Sequence, residues 1–247
     1  MDANILILIP AYNEAAHLGQ VVEQALKQLP VLVVDDGSTD ETASLAEQAG
    51  AIVLRQAQNQ GKGAALRMGM RYALDKGYKA VITLDADGQH DPAEVEKFVH
   101  AYSVCRADLI VGIRNFYEIP PVRRVANWLG RYALSWVLGQ PIPDNQSGYR
   151  LISRRLIQRL LNSEEPGFEF EVEMIVTCFQ LGYQLAGVPI RTIYDNERSH
   201  IQPLSHVVNF GRMLWQTYHL VHRPSSSEVS LRDWITTRIS NADETTL

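Results

Sequence analysis

The stretch "VITLDADGQHDP", residues 81–92, begins as a buried strand and then places Asp85, Asp87 and Asp91 within seven positions. A core strand does not run into such charge without something to hold. Along a continuing strand Asp85 and Asp87, two residues apart, would stand one beyond the other on the same face rather than converge on one point. A turn at Ala86–Gly88 lets them converge, and Gly88 makes that turn easy. Gln89 then offers a carbonyl oxygen beside them. Hard divalent cations such as Mg²⁺ or Mn²⁺ take oxygen ligands, and one or two carboxylates plus a substrate diphosphate commonly hold them. Asp85, Asp87 and Gln89 are the candidate ligands. A polar turn without a cation would leave two close carboxylates uncompensated. Asp91 reads as a helix cap ahead of Pro92, and His90 as a surface or loop residue.

Around this turn, short apolar runs alternate with amphipathic stretches. Residues 5–9, 31–35, 51–54, 80–85 and 108–112 read as buried strands, and 14–28, 41–49, 62–76 and 92–102 as helices. The pattern predicts an α/β fold, a mostly parallel sheet with helices on both faces. Ligands in such sheets bind beyond the carboxyl ends of the strands. That rule brings "PAYNE", "DDGSTD" and "DADGQHD" to one sheet edge. Further on, 121–138 reads as a helix, 147–153 as a strand, 154–162 and 168–182 as helices, and 184–190 as a strand. An amphipathic segment covers 204–222, and a Ser-, Thr- and acid-rich tail follows Pro224. The expected organisation is one catalytic domain over 1–224, with a nucleotide-binding half (1–112) and an acceptor-binding half (113–224), then a loosely ordered tail at 225–247.

Two further motifs follow strands. In "DDGSTDET" Gly37 permits a tight turn and Ser38 or Thr39 is placed to cap the next helix. Asp36 is the better placed carboxylate to accept from a nucleobase N–H. "NQGKGAAL" (59–66) sets Lys62 between two glycines before a helix. Its spacing fits neither a P-loop nor a dinucleotide fingerprint, though a helix N-terminus favours phosphate nearby. A flexible loop is the competing reading of Lys62.

The net charge of −5 is uneven: residues 1–100 carry 8 basic and 14 acidic side chains, whereas 106–160 carry 9 arginines, no lysine and 3 acids. An arginine-only block in an acidic chain points to a local anionic partner. No basic patch interleaved with aromatics tracks through the chain, which argues against nucleic acid. Two cysteines give neither a disulfide framework nor a metal spacing. "NILILIP" is too short for a signal peptide, and no run of about 18 apolar residues is present.

Taken together, "IPAYNEAAHL", "VVDDGSTDET", "NQGKGAAL", "LDADGQHDP" and "DNQSGYRLIS" (144–153) resemble family 2 glycosyltransferases of the GT-A fold. The branch they resemble is the polyprenyl-phosphate sugar transferases, such as dolichyl-phosphate mannose synthase, over roughly residues 4–200. The resemblance implies that Pro10, Tyr12, Glu14, Asp36 and Ala86 line the nucleotide pocket, with Asp36 at the base and Asp85 near the ribose and diphosphate. It implies a Mg²⁺ or Mn²⁺ ion on Asp87 and Gln89 with Asp85. It also implies an acceptor phosphate facing Arg150, Arg123, Arg124 and Arg131. After the last strand that branch carries an Arg-x-x-Gly-x-Ser-Lys loop. Here the chain reads "ERSHIQPLSH" (197–206), leaving Arg198, Ser199 and His200 as candidates for related work.

The implied reaction moves a sugar from a GDP- or UDP-linked donor to a polyprenyl phosphate, with inversion, on the cytoplasmic face of a membrane. A phosphate acceptor is already ionised and needs positive charge rather than a base. A hydroxyl acceptor, the soluble alternative, needs a base, and Asp144 is the candidate. Asp144 as a brace of the Arg150 loop fits equally well. Residues 120–139 and 203–222 read as amphipathic helices suited to a peripheral membrane contact, or to packing on the sheet. A nucleotidyltransferase would carry a glycine- and lysine/arginine-rich loop after the first strand, where this chain has "PAYNEAAH". A non-catalytic nucleotide-sugar-binding subunit remains the non-enzymatic alternative.

Overall fold

The structure is a computed structural model that describes residues 4–114, 121–139, 142, 144–161 and 169–191, without the side chains of 121–129 and 169. β1 (Ile5–Ala11), β2 (Val31–Asp35) and β4 (Ala80–Thr83) are buried at every position, as strands covered on both faces must be. Alternate residues feed two cores. Leu6, Leu8, Leu32, Val34 and Val81 join one, and Ile5, Ile7, Ile9, Val33 and Ile82 the other. The first core is closed by α3 (Lys62–Asp75), α6 (Arg154–Leu160) and α7 (Glu169–Gln180) through Leu66, Met70, Leu156 and Phe170. The second is closed by α1 (Leu18–Ala25) and α4 (Val95–Cys105) through Leu18, Val22, Val95 and Phe98.

With β3 (Ile52–Arg55), β5 (Leu109–Arg114), β6 (Arg150–Ser153) and β7 (Leu185–Ile190), the sheet order is β3-β2-β1-β4-β6-β5-β7. Every pairing is parallel except those of β6, which runs antiparallel to β4 and β5. The mostly parallel sheet with helices on both faces is therefore what the chain forms. β2 lies on one side of β1 and β4 on the other. The segments leaving β1, β2 and β4 thus emerge side by side at a switch point of the sheet.

Two boundaries shift for local reasons. The first helix was expected from residue 14 but starts at Leu18. The N–H groups of Asn13, Glu14 and Ala15 donate instead to Ser38 Oγ, Thr42 Oγ1 and Asp40 Oδ2. Neither Ser38 nor Thr39 caps α2 (Thr42–Gln48), because both bond to Asn13, and Asp40 accepts from the Thr42 N–H instead. The strand expected at 147–153 begins only at Arg150. α5 (Pro121–Leu138) begins at Pro121 and packs into the first core through Leu134 and Leu138. Among the described residues no helix is long and apolar enough to cross a membrane. The amphipathic segment 204–222, the residues Arg198, Ser199 and His200, and the tail 225–247 lie outside the described residues.

Candidate active site

The acidic turn sits where β4 ends. Gly88 has φ +76°, a conformation that favours glycine, and the Gln89 N–H donates to Asp87 Oδ1 at 2.9 Å, closing the turn. Ala86 is buried beneath it. Asp91 accepts from the Ala93 N–H at 2.9 Å with Pro92 in the first turn, which is the expected cap. His90 is not a surface residue: it is 4% exposed, and its Nδ1 accepts the Asp85 N–H at 3.2 Å. Its ring packs on Tyr149, which stacks on Phe98, and the Tyr149 hydroxyl donates to the Asp91 carbonyl at 3.2 Å. This aromatic column fixes the turn from behind. Burial holds the His90 pKa below its usual value against the pull of Asp85 and Asp87, in keeping with a ring that accepts at Nδ1.

The Asp85 carboxylate is hemmed in. A Cβ on Gly148 would lie 2.6 and 2.7 Å from its two oxygens, so only glycine fits there. Lys62 Nζ lies 2.6 Å from Asp85 Oδ1 and 2.8 Å from Glu171 Oε1. Lys62 is therefore not in a flexible loop. It opens α3 directly after Gly61, whose φ is +93°. Burial lowers its pKa, but Asp85 and Glu171 outweigh burial and raise it above the usual lysine value. Burial likewise opposes charge on Asp85, yet Lys62 and, behind it, His90 hold that carboxyl down to about 2. Burial and the neighbouring Asp85 charge push Asp87 the other way, above the usual carboxylate range.

At the nucleoside side, Pro10 is buried within β1 and Tyr12 stands 44% exposed just past it. Glu14 lies in the same loop, laced to the first residue of α2 through its own N–H. Asp36, by contrast, is 3% exposed. It accepts from Gln56 Nε2 and from the N–H groups of Gln60 and Gly61 at 2.8–2.9 Å. Its carboxylate shapes the loop that delivers Lys62. Burial raises its pKa despite those bonds.

Arg150 requires a correction. It was expected to face an acceptor phosphate, but it is fully buried. Its guanidinium donates to the carbonyls of Ser147 at 2.7 Å, Asn145 at 3.1 Å and Glu171. A planar fork with three acceptors already in place braces the loop 144–149 against α7. Asp144, the alternative base, pairs with Arg114 through two bonds of 2.8 and 3.0 Å and accepts the Gln146 N–H. Burial opposes its charge, but Arg114 outweighs burial and holds its pKa below the usual range. Arg131 is half-buried on α5. The side chains of Arg123 and Arg124, and all of Arg198, lie outside the described residues.

Three residues of this site were not singled out in the sequence. Arg114 ends a strand and reads as a surface charge, and Glu171 lies mid-helix among apolar neighbours. His90 reads as a loop residue because nothing local indicates the Tyr149 ring that covers it. Only an acid inside the run "FEFEVEM" hints that Glu171 has a buried partner.

Acids follow β1, β2 and β4 at one switch point, and a half-buried lysine pairs with the one after β4, an arrangement suited to a nucleotide-handling site. The family profile "Glycosyl transferase family 2" matches residues 6–161. The chain belongs to glycosyltransferase family 2. This glycosyltransferase is 32% identical over 205 residues to the polyprenol monophosphomannose synthase of Mycolicibacterium smegmatis, covering 75% of this chain and 76% of that protein. It is 31% identical over 201 residues to the undecaprenyl-phosphate mannosyltransferase of Micrococcus luteus, covering 75% and 82%. Its fold matches glucosyl-3-phosphoglycerate synthase from Mycobacterium tuberculosis, solved with Mn²⁺, uridine diphosphate and glucosyl-3-phosphoglycerate. That match has a TM-score of 0.69 at 22% identity and covers 91% of this chain and 82% of that one. The glycosyltransferase thus has the GT-A architecture that its motifs resemble.

Proposed function

We propose that this glycosyltransferase moves a sugar, with inversion, from a nucleoside diphosphate sugar to a polyprenyl phosphate at the cytoplasmic surface of a membrane, using Mg²⁺ or Mn²⁺. One observation favours a phosphate acceptor over a hydroxyl. Asp144, the candidate base, is clamped by Arg114 and made less basic, whereas an ionised phosphate needs no base. The names of the two relatives, each a polyprenyl-phosphate or polyprenol mannosyltransferase or synthase, support the same acceptor.

The donor set fits a hard divalent cation. Burial and the neighbouring Asp85 charge both raise the pKa of Asp87, so a cation at this turn would relieve two acids at once. No group of three or more His, Cys, Asp or Glu among the described residues forms a full protein cage, and diphosphate oxygens would complete the shell. Asp85, Asp87 and Gln89 would hold the ion, which supplies charge to stabilise the leaving diphosphate. Solved complexes of the fold neighbour contain Mn²⁺ or Mg²⁺ with uridine diphosphate, in support of that assignment. Pro10, Tyr12, Glu14 and Ala86 line the nucleoside pocket in this reading, and Asp36 acts through the loop it holds.

For the acceptor, Arg123, Arg124, Arg131 and Arg198 remain the proposed phosphate contacts, since Arg150 is committed to backbone carbonyls. The exposed Tyr132 and Trp136, 65% and 68% accessible, lie four residues apart on α5. That face suits an interfacial contact in which aromatic rings sit at headgroup level.

The test compares transfer from radiolabelled GDP- and UDP-sugars to polyprenyl phosphate and to simple glycosides, with Mn²⁺ or EDTA. Lipid-linked product of inverted anomeric configuration, formed only with metal, is expected. Turnover of glycosides alone would sink the lipid-phosphate reading, and binding without any turnover would favour a non-catalytic subunit.

A further inference from the structure

Lys62 stands in an electrostatically awkward place. It is the first residue of α3, where the helix dipole disfavours a cation, and its side chain is only 19% exposed. Two carboxylates from different elements compensate it: Asp85 in the acidic turn at 2.6 Å and Glu171 on α7 at 2.8 Å. These two partners differ in exposure, 26% for the Asp85 side chain against 7% for that of Glu171. Glu171 is 5% exposed, and its carbonyl is gripped by the buried Arg150, so its backbone is fixed. Asp85 is confined by Gly148 on one side and has His90 Nδ1 3.7 Å from its second oxygen. The carboxylate that Lys62 occupies is the one a divalent cation would need.

We propose that Lys62 and a divalent cation compete for the Asp85 carboxylate, and that Glu171 is the partner on which Lys62 stays when the cation takes Asp85. The inference rests on the metal–diphosphate reading above and adds an order of events to it. An ion coordinated near 2.1 Å from a carboxylate oxygen would sit within a few ångströms of an ammonium that is 2.6 Å from the same group. Two positive centres that close repel strongly in a partly dry site. The metal alone is therefore held off, and a diphosphate, which brings negative charge, tips the exchange. Glu171 makes the exchange possible because the displaced ammonium keeps a buried counter-ion instead of being stranded.

The experiment measures Mn²⁺ binding to the full chain by the loss of the free-ion paramagnetic resonance signal, without nucleotide and with UDP or GDP. Lys62→Met removes the competitor and is expected to bind Mn²⁺ without nucleotide at least about ten-fold more tightly than the wild type. Glu171→Gln removes the carboxylate on which Lys62 stays after the exchange and is expected to bind Mn²⁺ more weakly than the wild type. Should Lys62→Met fail to fold, Glu171→Gln decides: weaker binding supports the exchange, and equal or tighter binding overturns it. If the wild type binds Mn²⁺ with nucleotide but Lys62→Met matches or falls below it without nucleotide, the exchange is wrong and the proposed function stands. If the wild type binds no Mn²⁺ even with both nucleotides, the metal–diphosphate reading falls and the exchange with it.

Discussion

Arg150 shows how far a residue's chemistry depends on what surrounds it. In the sequence it is one of nine arginines in a basic block. In the fold its guanidinium meets three carbonyls and no solvent. Replacing it with Met takes the buried donor from the Ser147 and Asn145 carbonyls, at about 1–3 kcal/mol each before relaxation. Arg150→Met should therefore lose about 3 kcal/mol or more in a urea titration, a fall an acceptor-site arginine on the surface would not cause. Asp87→Asn should instead leave the unfolding curve nearly unchanged or slightly stabilised, because it relieves the burial of a charge and the repulsion from Asp85. The same variant should abolish Mn²⁺-dependent binding of a nucleoside diphosphate in calorimetry, and unchanged metal dependence would remove Asp87 from its assigned role. Gly148→Ala separates geometry from charge. Its Cβ would intrude on the Asp85 oxygens at 2.6–2.7 Å, so nucleotide binding with Mn²⁺ should weaken although no charge has changed.

Among the elements, β1 and α3 set the spacing of the site. Gly69 lets them approach, since a Cβ there would lie 2.2 Å from Leu8 Cδ1. Gly69→Ala should overpack this contact and cost about 1–3 kcal/mol, read as a lower thermal midpoint. Lys62 opens α3, and Asp85 follows β4, which pairs with β1, so donor affinity should fall alongside. Element types were largely legible from periodicity because the parallel strands are apolar throughout and the helices amphipathic. The failures have a common cause. The first turn of the expected helix at 14–28 gives up its N–H groups to Ser38, Asp40 and Thr42, partners that lie more than twenty residues away. Likewise β6 is antiparallel in a sheet whose other pairings are parallel, and strand direction leaves no mark on a four-residue strand reading RLIS. At the site, the turn at Asp85–Asp91 was legible because glycine, proline and acids carry local rules. Glu171 and Arg114 were not, because their importance comes from neighbours far away in the chain.

At the scale of the whole molecule, charge and ligand binding set stability. Arg155 and Arg114 hold Asp108 and Asp144 below the usual carboxylate range against burial, and Lys62 does the same for Asp85. A depressed folded pKa contributes stability that is present above the unfolded value of about 3.9 and is lost as pH falls through the folded one. His90 acts in the same direction just below its unfolded value of about 6.5. Asp36 and Asp87 have raised values and oppose the trend, since their protonation relieves the fold. The thermal midpoint should fall from pH 6 to pH 3, and Asp108→Asn, which removes one of the depressed groups, should flatten the fall below about pH 4. Donor binding works the other way. At a hundredfold excess over Kd, a nucleotide sugar with Mn²⁺ adds about 2.7 kcal/mol, or about 5–10 °C for a chain of this size. A shift confined to GDP- or to UDP-sugars would name the base. The sequence by itself determined the alternation of strand and helix, the acidic turn and the family, because these rest on local periodicity, on glycine and proline geometry and on contiguous motifs. Only the tertiary structure decided that Arg150 is a brace, that His90 is covered, and that Lys62 lies between Asp85 and Glu171. Burial and ion pairing are properties of distance in space, and residues 62, 85 and 171 become neighbours only when the sheet brings α3, the β4 turn and α7 to one edge.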